Sequence, residues 1–183
     1  MAISDIGQKI RFGIYWSIGS KVFQQLFHLL VILVVARILG PKSFGIIAII
    51  MTIINYINCF TGFGLTSAII QKSEINDDIV NIIFSYNLIF SLFLMGILFT
   101  FAEKVAALFA SPEIINYLKV MSIIIPITTF YSIPMALLRR ELNYKKHSII
   151  ELVHHSSYSI LLILLTLIGF QAWSLVGATI ISY

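Results

Sequence analysis

The chain has 183 residues, of which 59% are hydrophobic and only 11% charged, and its mean hydropathy is +0.99. Soluble domains carry about 45–50% apolar and about 25% charged residues, so a water-soluble globule is excluded. The formal charge of +4 does not point to a nucleic-acid partner, because the basic residues stand singly or in short clusters between apolar runs, as topology determinants at a membrane surface do.

Each crossing takes about 20 apolar residues plus a connector. The length therefore suits an all-α integral membrane bundle, a single membrane domain over 1–183 with about five complete transmembrane helices and part of a sixth. Helix 1 is expected over about 14–39. Lys9 and Arg11 precede it in the manner of a signal peptide, but the apolar run continues without a small-residue cleavage site, so the helix is read as retained. Gly40-Pro41-Lys42-Ser43 ends it, since glycine supplies a left-handed turn and proline cannot continue the ladder.

Helix 2 is expected over 44–70, without a charged residue and loosened at Gly62 and Gly64. Helix 3, over 79–102, has Ile, Leu, Val or Phe at 15 of its 24 positions, which favours insertion by very roughly 7 kcal/mol. Residues 103–110 mix charge with an apolar face and read as a short interfacial helix. Ser111 then suits the N-cap of helix 4, over 112–138, with Pro112 in the first helical position and Glu113 beside the positive dipole end. Pro126 and Pro134 are expected to kink that helix, with Thr128, Thr129 and Ser132 at hand to satisfy freed carbonyls. Residues 139–146 are the most charged stretch; helix 5 follows over 147–170, and 173–183 begins an incomplete sixth helix.

Counting Lys and Arg gives the orientation. Lys9, Arg11, Lys21, Lys72, Arg139, Arg140, Lys145 and Lys146 share the side of the N-terminus, against Arg37, Lys42, Lys104 and Lys119 on the other, which places the N-terminus in the cytoplasm.

Polar residues inside the spans mark a candidate site. Ser17, Lys21, Gln24, Gln25 and His28 fall at offsets 0, 4, 7, 8 and 11, one face of a helix. A lysine at mid-membrane costs about 2.5–3.5 kcal/mol on insertion scales, so the stripe should line protein or a wet cavity that meets an anionic substrate. The competing reading has Lys21 snorkelling to the headgroups while the amides and His28 bond neighbouring helices. On helix 2, Thr52, Asn55, Asn58 and Cys59 share a face that can oppose this stripe. Arg37 is a further candidate, or an interfacial anchor. His147, Glu151, His154 and His155, at offsets 0, 4, 7 and 8, have the spacing of a divalent-metal or proton-relay site, but interfacial histidines need no ligand role, and neither metal nor cofactor is expected. The single cysteine, Cys59, cannot form an intrachain disulfide and reads as a buried packing residue. With no phosphate-binding glycine loop, nucleophile elbow or metalloprotease helix, the chain is not expected to be an enzyme.

Three stretches carry a family resemblance: Ala36-Arg37-Ile38-Leu39-Gly40-Pro41-Lys42-Ser43-Phe44-Gly45, then Gly62-Phe63-Gly64-Leu65 through Ala68-Ile69-Ile70-Gln71, then Leu137-Leu138-Arg139-Arg140-Glu141-Leu142-Asn143-Tyr144-Lys145. Together they resemble the N-terminal half of bacterial polysaccharide exporters of the Wzx and colanic-acid kind, in the MOP flippase superfamily. The resemblance implies a multi-pass protein of the bacterial inner membrane that moves an undecaprenyl-diphosphate-linked oligosaccharide repeat from the inner to the outer leaflet. It also implies two lobes around a central cavity, in which Lys21 would attract the anionic headgroup and Gln24, Gln25, His28, Asn55 and Asn58 would hydrogen-bond sugar or phosphate. Because the chain stops inside helix 6, it is expected to be a truncated product, or else to pair with a separate second half or with itself. The alternatives are a related small-molecule antiporter, for which carboxylates would be needed in the cavity, and a non-transporting scaffold for polysaccharide assembly.

Overall fold

The computed structural model of the chain describes residues 2–61, 67, 69–70 and 75–183, with side chains described from residue 18 onward except at residue 20. The described residues form six helices: α1 (Ala2–Thr61), α2 (Asp77–Leu108), α3 (Ile114–Met121), α4 (Ile124–Arg140), α5 (Tyr144–Ile168) and α6 (Trp173–Ser182). Four stretches are long and apolar enough to cross a membrane, namely Lys21–Thr61 within α1, α2, the α3–α4 pair and α5; α6 is a shorter apolar helix. The expectation at Gly62 and Gly64, and Lys72, lie outside the described residues.

Helix α1 is two arms. A straight helix of its 60 residues would run about 90 Å, yet residues from both halves meet in one core and line one cavity. The reversal is at Gly40, with φ 73° and ψ 169° inside otherwise helical backbone, a region nearly reserved for glycine. Pro41 then opens the second arm, where its missing N–H has no partner to lose. Val31 and Val35 of the first arm pack with Ile47 of the second, and with Leu162, Leu175 and Ala178 of α5 and α6. Ile46, Ile50 and Ile54 of the second arm pack against Leu98, Ala102 and Ala106 of α2 and Ile114, Leu118 and Met121 of α3.

Sequence signals explain three of the helix ends. Asn76 caps α2 by accepting from the Ile79 N–H at 3.1 Å, with Asp77 and Asp78 in the first turn. Asn143 caps α5 by accepting from Lys146 N–H, and Gly169, at φ 95°, closes its far end. Large apolar side chains such as Ile82, Ile89 and Phe93 on α2 are more than 60% exposed, an arrangement that suits a lipid rather than an aqueous surround.

Several expectations need correction. Residues 103–108 do not form a separate interfacial helix but continue α2 through Leu108, since nothing before Phe109 breaks the ladder. Ser111 is not the cap of the next helix: its carbonyl accepts from Ile114 N–H in a tight turn, and α3 starts at Ile114 after Glu113, without a side-chain cap. The stretch expected as one helix over 112–138 runs over Ile114–Arg140, with the ladder interrupted by a tightened turn at Ser122–Ile123. Pro126 is the cause, because it has no N–H for the Ser122 carbonyl and its ring crowds that oxygen. The chain responds with an i→i+3 turn in which Ile125 N–H reaches the Ser122 carbonyl at 3.2 Å. Thr128 and Ser132 bond the carbonyls of Ile125 and Thr129 instead of the freed ones, and Thr129 Oγ1 is buried without a partner. Cys59 is exposed, as are Tyr56 and Phe60 beside it on the same arm.

The ion pairs sort the connectors into two ends. Lys42 Nζ lies 2.7 Å from Glu113 and Lys119 Nζ 3.3 Å from Glu103, so the Gly40 reversal and the α2–α3 turn share one end. At the other end Arg140 donates to the Ile69 carbonyl at 2.8 Å, next to the α4–α5 hairpin.

Candidate functional site

The two arms of α1 diverge from the Gly40 reversal, and the space between them is walled by α5 and α6. The result is a cavity of about 350 Å³, within the range that ligand pockets take. Lys21, Gln24, Gln25 and His28 line it from the first arm; Met51, Ile54, Asn55 and Asn58 from the second. Ile124, His154, His155, Tyr158, Thr179, Ser182 and Tyr183 complete the wall.

Eight of the residues singled out in the sequence thus meet in one place: Lys21, Gln24, Gln25, His28, Asn55 and Asn58, with His154 and His155. Arg37 does not join them. It is exposed and sits nine residues, about 13 Å, further along the first arm than His28. Thr52 turns its hydroxyl back to the Ala48 carbonyl at 2.7 Å and is also outside the lining. The side chain of Ser17 lies outside the described residues.

Position on each element explains the polarity of the wall. Gln24 Nε2 is buried and has no hydrogen-bond partner, so a donor stands unused at the cavity. Asn58 accepts from Thr128 Oγ1 at 3.4 Å, which ties the second arm to α4. His154 Nδ1–H donates to the Ser182 carbonyl at 3.0 Å, and its ring lies 4.4 Å from that of Tyr183 and 5.3 Å from that of Tyr131. The His28 and Tyr158 rings approach to 6.2 Å across the cavity. The polar side chains of the described lining are a lysine, amides, imidazoles and hydroxyls, with no Asp or Glu, so their electrostatic character suits an anionic or neutral polar group.

The spacing of His147, Glu151, His154 and His155 does not gather them into one site. His154 and His155 belong to the cavity, whereas His147 and Glu151 engage Arg139 near the start of α5. Among the described residues no group of three or more His, Cys, Asp or Glu is arranged to hold a metal ion. The polar wall residues absent from the sequence reading are Tyr158, Thr179, Ser182 and Tyr183. Tyr158 had a signal: it extends the stripe of 147, 151, 154 and 155 at helical spacing.

Residues 34–183 match the model of the family described as polysaccharide biosynthesis protein. The chain belongs to that family. It is 32% identical to the succinoglycan biosynthesis transport protein ExoT of Rhizobium meliloti (strain 1021) over 167 residues, which are 91% of this chain and 34% of that protein. It is 22% identical to the lipopolysaccharide biosynthesis protein WzxC of Escherichia coli (strain K12) over 147 residues, 80% of this chain and 30% of the relative. An uncharacterized membrane protein in the cps region of Klebsiella pneumoniae is 27% identical over 145 residues, 74% of this chain and 28% of the relative. The chain therefore spans about a third of the length of the curated relatives it matches. No solved structure matches it significantly. The resemblance to Wzx-type exporters drawn from three sequence stretches agrees with this family membership, and all three lie within residues 34–183.

Proposed function

We propose that this chain supplies the N-terminal part of a transporter that moves a lipid-linked oligosaccharide repeat, carried on undecaprenyl diphosphate, across the bacterial inner membrane. The observation that carries the proposal is the cavity: a lysine, four amide side chains and three histidines converge on it from the two arms of α1 and from α5, and no Asp or Glu side chain is among its described lining residues. A diphosphate offers negative charge to Lys21, and sugar hydroxyls offer donors and acceptors to Gln24, Gln25, Asn55 and Asn58. The similarity to ExoT, a succinoglycan biosynthesis transport protein, and to WzxC, a lipopolysaccharide biosynthesis protein, supports the same reading. A cation-exporting antiporter is disfavoured by the same wall, because a cationic cargo needs acidic residues inside the membrane.

In this reading each arm of α1 crosses the membrane once, α2, the α3–α4 pair and α5 cross once each, and α6 begins a sixth span. The excess of Lys and Arg at the end that holds Lys21, Arg139 and Arg140 makes that end cytoplasmic, and the cavity faces the leaflet in which the lipid-linked repeat is made. The remainder of the transporter, about two-thirds by the length of the relatives, is encoded with this chain or apart from it, or is supplied by a second copy.

The deciding experiment is deletion of the coding region for this chain in the bacterium that carries it. Surface polysaccharide should fall, and the lipid-linked repeat should accumulate on the cytoplasmic side. Unchanged surface polymer with no accumulated intermediate would overturn the proposal.

A further inference from the structure

The α4–α5 hairpin carries a cluster of one histidine, one arginine and one glutamate outside the cavity lining. Arg139, in the last turn of α4, donates from Nε to Nε2 of His147 at 2.7 Å. On the other side of the ring, His147 Nδ1 stands 3.5 Å from Glu151 Oε2, and Arg139 Nη2 stands 3.7 Å from Glu151 Oε1. His147 is buried, with 5% of its surface exposed, while half of the Arg139 side chain is exposed. The charged groups that face His147 come from three elements: Arg139 of α4, Glu151 of α5 and, electrostatically, Lys21 of the first arm. Arg140 points to the Ile69 carbonyl.

The hydrogen bonding fixes the protonation state. A guanidinium only donates, so Nε2 of His147 must present its lone pair, and the one ring proton lies on Nδ1 toward Glu151. An imidazolium has two N–H groups and no acceptor. Once a proton from solvent binds Nε2, the 2.7 Å contact sets donor against donor and cation against cation, while the Nδ1–H to Glu151 contact becomes charge-assisted on both sides.

We propose that His147 is a proton-binding site that decides whether Arg139 is docked on α5: the neutral ring holds the guanidinium, and the protonated ring expels it and keeps Glu151. The half-exposed guanidinium can move into water without a large desolvation cost. The segment that absorbs the movement is the turn Glu141–Asn143, where Leu142 has φ +55°, a conformation that a leucine leaves readily. Of the groups around this turn, histidine is the type that changes charge between about pH 5 and 8. The inference does not depend on what the cavity carries.

The test is a spin label at Leu142→Cys in a Cys59→Ser background, with the full chain in lipid nanodiscs and the lineshape followed from pH 8 to pH 4. A single-proton transition, complete over about two pH units, is expected in this background. It should vanish in His147→Gln, whose side chain is neutral throughout, and in Arg139→Gln, which leaves no cation to expel. Should one variant fail to give monodisperse protein, the other decides. A lineshape that does not change with pH, or a transition that persists undiminished in either folded variant, would overturn the proposal.

Discussion

Thr128 Oγ1 donates to Asn58 Oδ1 at 3.4 Å, a bond between α4 and the second arm of α1 at the edge of the polar cavity. The same hydroxyl is 2.7 Å from the Ile125 carbonyl, so the proton is shared and the interhelical bond is the weaker partner. Hydrogen bonds between membrane helices average about 0.6 kcal/mol. Asn58→Leu should therefore lower unfolding stability by no more than about that amount, and Asn58→Asp should keep the acceptor. Equilibrium unfolding in mild detergent reads both; a loss several times larger would mean that Asn58 holds the arm through contacts other than this one.

Lys21 is the cation of the cavity wall. If it meets a diphosphate, Lys21→Ala removes a charge-assisted interaction of about 1.5–3 kcal/mol, enough to lower polysaccharide export about tenfold or more at limiting substrate. Lys21→Arg should retain most of it. Surface polymer measured beside membrane abundance of the protein separates this from misfolding. Equal export by Lys21→Ala and the parent would remove the lysine from substrate contact.

Gly40 can be tested separately from its surroundings. A Cβ at Gly40 would meet nothing within 4 Å, so Gly40→Ala is penalised only by the backbone conformation, φ 73° and ψ 169°, at about 1–3 kcal/mol. Gly45 has the same open surroundings but lies in regular helix, where Gly→Ala should be neutral or stabilising by about 0.5–1 kcal/mol. The thermal melt of Gly40→Ala should fall, while that of Gly45→Ala should hold or rise.

Gly177 is the opposite case. A Cβ there would stand 3.0 Å from Leu165 Cδ1, which means that α6 approaches α5 closely enough to need a small residue. Leu165 can rotate away from one methyl group, so Gly177→Ala should be tolerated. Gly177→Val should cost about 1–3 kcal/mol through overpacking, seen as a lower melting temperature and as protease sensitivity in the 169–172 turn.

What the sequence reveals and what it conceals divide by distance along the chain. Helical spacing alone put Lys21, Gln24, Gln25 and His28 on one face, and Asn55 and Asn58 on another; the structure joins the two faces in one cavity. The helix ends at Asn76, Asn143 and Gly169 follow from local chemistry. Thr179, Ser182 and Tyr183 escaped notice because each reads as an ordinary polar residue at the end of a short apolar helix, and only the packing of α6 beside α5 brings them to the site. Pro126 was visible as a perturbation, yet whether it bends the helix or tightens one turn depends on which carbonyl it releases. Here that is Ser122, and the tightened turn follows. Ser111 misled because its position ahead of Pro112 has the form of a cap, while the chain spends that residue on a turn.

The single-residue reversal at Gly40 also bears on how the protein is made. Two apolar segments separated by one glycine leave the ribosome close together, and the amides of one arm can pair with those of the other before any later helix exists. The wall residues from 154 to 183 are synthesised after both arms. Until they arrive, the lysine and glutamines of the first arm have only the second arm and the insertion machinery to shield them from lipid, so biogenesis, rather than the finished fold, is the stage at which changes to these polar residues should first be felt.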